Sequence, residues 1–528
     1  MMKITGSRDS QGRRSYHPAL VSGTVRFTTA FHGSALVLVL AGCATFRAAG
    51  RSSDSNWHQV TTPHFRVRTD FDDETAVEAA MKLEATRDAL VSAAWPSFQF
   101  PEATRTDVYV LANGLDFERL FGRMTAGFFS PRGRPTFFLY GPPSRWDQRR
   151  SLAFESTSIV RHEMAHQLAA VVYAREPRWF SEGLAQFLET VHESEDHKAV
   201  IVGSVNIEAW RKYNTFRTIT AKGTLEWTQA NTTMSDAETD GFYGMSWVLV
   251  HFLYNTQPEP FARYQVELAK GTDPRRAWEI AFPNLDASSL DSQIRNYSRR
   301  GEYVEFPVQL HSTPVAATAE PLTPAETHIV RARLFRAAFG FASPTERGPH
   351  LQAAASELKT ALELDPTNVE ALEMEDRAPA GDRLTRARRA AAVHPDDPRV
   401  FRLLGALSKM TGADISEQEN AYRQAVKLDP NDPGSLNNLA WLLLEQHKVA
   451  EALPLALRAL KRAPFDGAII DTYAVALFQA GRCESAIAHE EHALELQHDV
   501  NASSELARSL KRQLAEFKTA CTEAKAEH

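Results

Sequence analysis

Four short turns built around proline recur through the C-terminal part of the chain, and they constrain its fold more than any other feature. Leu364-Asp365-Pro366-Thr367-Asn368, Val393-His394-Pro395-Asp396-Asp397, Leu428-Asp429-Pro430-Asn431-Asp432 and Arg462-Ala463-Pro464-Phe465-Asp466 place their prolines 29, 35 and 34 residues apart. Each turn lies between Ala/Leu-rich stretches with helical spacing. One helix pair cannot bury its apolar stripe alone, so a repeat of this length implies helix pairs stacked in a row.

Ala421-Tyr422 and Ala425 before the third turn, and Asn438-Leu439-Ala440-Trp441 and Ala452 after it, resemble the tetratricopeptide repeat (TPR). The resemblance implies an all-α TPR solenoid over residues 326–528. The short first interval departs from the period. Two uses of the array remain open: a concave groove for a peptide or protein partner, or a spacer packed on the preceding domain.

Upstream the pattern differs. Trp57-His58-Gln59-Val60 and His64-Phe65-Arg66-Val67-Arg68 alternate like strands, and Asp72 to Ala94 has helical spacing with acids in its first turn. Thr106 to Leu111 and Pro135 to Tyr140 read as two more strands, separated by the Gly/Pro-rich stretch from Gly127. Ser151 to Tyr173 then reads as a helix buried on one side. Strands followed by helices indicate an α+β domain, placed at 57–305. The Pro/Thr/Ala-rich segment 306–325 reads as a linker.

At the other end, the apolar run Ala35 to Leu40 follows Arg26 and closes in Leu40-Ala41-Gly42-Cys43, the layout of a secretory signal over residues 1–42. The ending resembles a bacterial lipobox, which implies acylation of Cys43, a tether over 43–56, and a lipid-anchored protein of the bacterial cell envelope, facing the periplasm or exterior. No apolar run approaches the roughly 18 residues of a spanning helix. The chain has 528 residues with 59 Lys+Arg against 66 Asp+Glu, a net charge of -7 without long like-charge blocks, which argues against a nucleic-acid partner. Of the remaining cysteines, Cys483 begins one helical stretch and Cys521 closes the next, so a disulfide in an oxidising envelope is one expectation if antiparallel packing brings their Cα atoms within about 7 Å, and a pair of small packing residues is the other.

The chemistry is concentrated in His162-Glu163-Met164-Ala165-His166. Histidines four apart share one helical face, so both imidazoles can reach one zinc ion while the intervening glutamate faces an open coordination position. A catalytic zinc needs a third protein ligand, and Glu182 in Trp179-Phe180-Ser181-Glu182-Gly183-Leu184-Ala185 is the candidate. It lies in a second amphipathic helix expected to be capped near Ser181, and Pro177 favours a break between the two helices.

The stretch from His162 to Glu189 resembles the active site of gluzincin metallopeptidases, closest to the peptidase MA-like families. The resemblance implies a zincin-like domain binding one zinc ion through His162, His166 and Glu182, with Glu163 as general base. No Gly-x-Met-Glu-Asn segment lies near the Pro135 to Tyr140 strand, so an endopeptidase acting on a peptide or protein substrate is the expected form. Tyr243, expected at the start of an apolar helix, is the candidate donor to the oxyanion, with a packing tyrosine as the alternative. Glu189, seven residues beyond Glu182 on the same helical face, is the candidate partner of a ligating imidazole, with a solvated turn residue as the alternative. His251 reads as a core histidine, and His192 and His197 as members of a solvated acidic loop. The competing functional class is a non-catalytic interaction lipoprotein whose zincin-like domain is structural.

Overall fold

The computed structural model describes residues 4–8, 14–18, 57–100, 105–122, 127–130, 136–146, 158–227, 235–285, 287–301, 303–312, 314–376, 378–464, 466–501 and 505–526. Cys43, its lipobox-like surroundings and the tether lie outside them; within the segment read as a signal only Ile4–Arg8 and Arg14–Pro18 are described, as an antiparallel pair.

A six-stranded sheet carries the N-terminal domain, in the order Ala319–Pro321, His58–Thr61, Phe65–Thr69, Thr106–Leu111, Thr136–Tyr140, Gly127–Ser130. The two pairings among Phe65–Thr69, Thr106–Leu111 and Thr136–Tyr140 are parallel and the others antiparallel. All six residues of Thr106–Leu111 are buried, as expected of a strand covered on both faces. Alternation sends Val108, Val110, Phe137 and Leu139 into the core shared with the helix Asp73–Ala94 and the helix Ile159–Val172. Tyr109, Leu111 and Phe138 point the other way, onto Val330, Leu334 and Phe335 of the helix Pro324–Ala338. The helix Asp73–Ala94 starts where Asp72 accepts a hydrogen bond from the Thr75 amide, with Asp73 and Glu74 in the first turn favouring the dipole.

Two expectations differ from the structure: the linker with its boundary, and the stretch from Gly127. The segment 306–325 is not a free linker: Phe306–Gln309 pairs with Ala199–Val202, and Ala319–Pro321 adds an edge strand to His58–Thr61. Extended, proline-containing chain suits a sheet edge as well as a tether. A boundary at residue 326 therefore cuts through a shared core, because the first helix of the array covers one face of the sheet. The Gly/Pro-rich stretch from Gly127 contains the strand Gly127–Ser130. The helix expected over Ser151 to Tyr173 is described as Ile159–Val172, and residues 151–157 lie outside the described set.

The remaining helices stack as a solenoid ending in Glu505–Ala526. The polar residue just after each proline turn is a helix N-cap: Asn368, Asp397, Asp432 and Asp466 each accept a backbone N–H of the following helix. The short interval has a plain cause. The helix Val369–Met374 has 6 residues where its counterparts Pro398–Thr411, Pro433–Glu445 and Gly467–Gln479 have 13 or 14. Ala440, Ala452, Ala459, Ala474 and Ala486 are fully buried and let neighbouring helices approach closely. Cys483 and Cys521 are disulfide-bonded, their Cα atoms 5.8 Å apart, joining the helices Cys483–Asn501 and Glu505–Ala526.

A buried ion cluster locks the array to the sheet. Arg68 donates from both terminal nitrogens to Glu370, at 2.9 and 2.8 Å, and Arg333 Nε donates to the same carboxylate at 2.6 Å. Burial alone would raise the Glu370 carboxyl, but the two guanidinium charges hold it well below the usual range.

Candidate metal centre

The helix Ile159–Val172 is capped by Ser158 and buries Val160, Met164, Ala165, Leu168 and Ala169. Core packing therefore fixes its rotation, and the opposite side presents His162 and His166. After the loop at 173–177, the helix Arg178–Leu188 begins at Pro177 and returns beside it. The cap expected near Ser181 is absent: the helix starts a turn earlier, and Ser181 and Glu182 sit within its first two turns.

The two helices bring three donor atoms together. His162 Nε2 and His166 Nε2 are 3.2 Å apart, and each lies 3.7 Å from Glu182 Oε2. Ligands of a tetrahedral zinc with bonds near 2.0–2.1 Å are separated by about 3.3 Å, so the residues fit such an ion. The chemistry of the donors agrees. Each imidazole is bound at Nδ1 by an outer partner, which leaves the two Nε2 lone pairs facing each other unless a proton or cation lies between them. Among the described residues this is the one group of three or more metal-ligating side chains whose donors converge. His162, His166 and Glu182 side chains are 14, 24 and 17% exposed, so the point is reachable from solvent.

The outer partners differ between the two histidines. His162 Nδ1 is 2.9 Å from Glu189 Oε2. Asn206 donates to the other Glu189 oxygen and to the Gln186 carbonyl, and Arg161 Nε donates to the Glu189 carbonyl at 3.0 Å. His166 Nδ1 is 3.1 Å from Ser181 Oγ, and the Ser181 hydroxyl in turn bonds Glu176. Burial pushes the Glu176 carboxyl up to about 8 despite that bond, with the Glu182 charge adding to the rise. Burial opposes a charged His162, yet its bonds to Glu182 and Glu189 push it up to about 10. Burial lowers His166 to about 4, and the charge of His162 adds to the drop. Burial would raise Glu182, but the two histidines bring it down to about 2. The pocket thus holds an ionised carboxylate and stabilises positive charge beside it.

Tyr243 lies in the helix Asp236–Thr256, two turns beyond its capping box at Ser235 and Glu238, and so does not start the helix as expected. Its half-buried hydroxyl contacts the Glu182 carboxylate and accepts from Arg178 Nη2 at 3.3 Å. Gln186 Nε2 ties the two helices by donating to the Glu182 and Tyr243 carbonyls, both at 3.1 Å. Gly183 allows the approach: a Cβ there would lie 2.7 Å from Val250 Cγ2 and closer still to the Ser246 carbonyl oxygen. Glu163 is half-buried on the flank of the histidine face.

The other histidines stand apart. His251 is fully buried, held by the Tyr297 hydroxyl at 2.6 Å and the Gly203 carbonyl at 3.0 Å, and burial lowers it to about 4. His192 and His197 are exposed, the latter 2.7 Å from Glu193. Sequence reasoning missed Glu176, Arg178, Ser181 and Asn206. Only their nearness to the motif could have suggested the first three.

Comparison with known proteins matches residues 156–273, which hold the whole centre, to the family described as protein of unknown function DUF1570. Residues 421–453 match the tetratricopeptide repeat, in agreement with the stacked helix pairs of the C-terminal array. No curated protein matches. Solved structures similar to this chain include the thermophilic TPR protein TTC0263 of Thermus thermophilus, with 15% identity and a TM-score of 0.28 over 37% of this chain and 99% of that one. MamA of Desulfovibrio magneticus RS-1 has 17% identity and a TM-score of 0.23 over 33% and 96%, and YrrB, titled a TPR protein with an unusual peptide-binding site, 18% and 0.24 over 36% and 92%.

Proposed function

We propose that the chain is a zinc-dependent peptidase, an endopeptidase acting on a peptide or protein substrate, with a TPR array that binds a protein partner or the substrate. The observation that carries this reading is the convergence of His162, His166 and Glu182 on one point, with Glu163 between the two histidines. A zinc ion bound by these three side chains supplies a Lewis acid and brings the pKa of a coordinated water toward neutrality.

The chain's own residues carry the remaining steps. Glu189 and Ser181 hold the imidazoles with Nε2 toward the ion. Glu163 accepts the proton of the attacking water and hands it to the leaving amine. The Tyr243 hydroxyl, beside Glu182, donates to the oxyanion that develops on the substrate carbonyl. Acylation at Cys43 would hold the protein at a membrane of the bacterial cell envelope, with the TPR array oriented by its docking on the sheet; no helix among the described residues is long and apolar enough to cross a bilayer.

Purified protein is expected to contain one zinc per chain and to cleave a peptide library between internal residues. Glu163→Gln should keep the zinc and lose at least about 10²-fold in rate, the lower range of general-base contributions. Unchanged cleavage by this variant, or a wild type that binds zinc and cleaves nothing, removes the peptidase reading.

A further inference from the structure

We propose that Arg178 is a positioning residue of the peptidase reaction, setting the Tyr243 phenol so that its proton is available to the substrate; this rests on the peptidase reading above. Arg178 opens the Glu182 helix, one turn before Glu182. Its Nη2 donates to the Tyr243 oxygen at 3.3 Å, and its guanidinium lies 5.0 Å from the Trp227 ring centroid, 6.0 Å from that of Phe242 and 5.9 Å from that of Tyr243. Three aromatic rings thus limit where this long side chain can go. A guanidinium has only donors, so the phenol oxygen must be the acceptor in this bond. The Tyr243 proton is then left for another acceptor, and Glu182 is beside the hydroxyl.

The arrangement answers a problem of geometry. A phenol beside an ionised carboxylate can rotate its proton between acceptors, and a donor to a developing oxyanion is effective when it is already aimed. Arg178 occupies one side of the oxygen and leaves the other for donation. Because it also stands four residues before Glu182 on the same helix, its position is coupled to that of the ligand.

The experiment compares wild type, Arg178→Ala, Arg178→Lys, Tyr243→Phe and the Arg178→Ala/Tyr243→Phe double variant, with zinc content measured for each. Arg178→Ala is expected to keep one zinc, lower kcat about 10-fold or more and leave KM within about two-fold, because positioning affects the transition state more than ground-state binding. Arg178→Lys should recover part of the loss, since lysine still donates to the phenol oxygen. The double variant should fall no further than Tyr243→Phe alone, as residues acting through one another are not additive. Wild-type kcat in Arg178→Ala, full additivity in the double variant, a rise in KM alone, or loss of zinc from both Arg178 variants each overturns the proposal while wild type remains active. A zinc-loaded wild type without activity instead overturns the peptidase reading and this role with it.

Discussion

Gly183 lies against Ser246 so closely that a side chain at 183 would collide with the Ser246 carbonyl oxygen. That contact sets the distance between the helix carrying Glu182 and the helix carrying Tyr243, since Ser246 is three residues beyond Tyr243. Gly183→Ala is therefore expected to force the helices apart, costing about 1–3 kcal/mol of stability as overpacking does. Urea unfolding reads the stability and peptide cleavage reads the site. A fully stable and active variant would show that the two helices can part without consequence.

The outer partners of the two histidines predict graded metal affinities. Glu189→Gln removes the charge accepting from His162 Nδ1, and Ser181→Ala removes the link from His166 to Glu176. Each should weaken zinc binding by about 10–100-fold, the usual cost of losing such a partner. Competition with a zinc-sensitive dye measures it. Wild-type affinity in Glu189→Gln would deny that residue any hold on His162.

Glu370 is shared by the guanidinium groups of Arg68 and Arg333, with Asp107 as the further acid nearby. Glu370→Ala should cost about 3–5 kcal/mol, because the uncompensated charges of Arg68 and Arg333 remain. The loss should appear as earlier urea unfolding and as new proteolytic cleavage around 306–325. A variant as resistant as wild type would mean that the apolar contact between sheet and first helix suffices by itself.

Asp471 and Glu490 predict how the last repeats respond to pH. Burial raises both carboxyls, and for Glu490 the neighbouring Asp471 adds to the rise. A raised carboxyl makes the folded state hold protons that the unfolded state releases above about pH 4, so stability falls as pH rises through neutrality. Thermal unfolding should occur at a lower temperature near about pH 8 than near about pH 5. Glu490→Gln should flatten that difference, and an unchanged slope in the variant would assign it to other groups.

What could be read from the sequence followed from local spacing. Histidines four apart share a helical face in any context, and a cap such as Asp432 or Asp466 sits at a fixed offset from its proline. Serine favours a helix start, which is where local preference alone puts Ser181, whereas its actual contact is with His166, a neighbour only after two helices pair. Arg178 and Asn206 act across 65 and 17 residues of chain, on Tyr243 and Glu189, and no spacing rule reaches that far. Phe306–Gln309 and Ala319–Pro321 escape notice for another reason: an edge strand of three or four residues rich in proline has the composition of a tether, and only its partner strand distinguishes the two.

The return of residues 319–321 to the sheet, continued by the Leu322 amide bonding the Trp57 carbonyl at 2.7 Å, makes each half of the molecule a finishing piece of the other. A fragment truncated at residue 305 would bare the backbone of His58–Thr61 as an open edge and unroof Tyr109 and Phe138, inviting association between copies. An array begun at residue 326 would carry the orphaned apolar side of its first helix into water. Neither half is a cassette that can be lifted out whole, and any transfer of the array to another protein would have to carry the sheet's last strand with it.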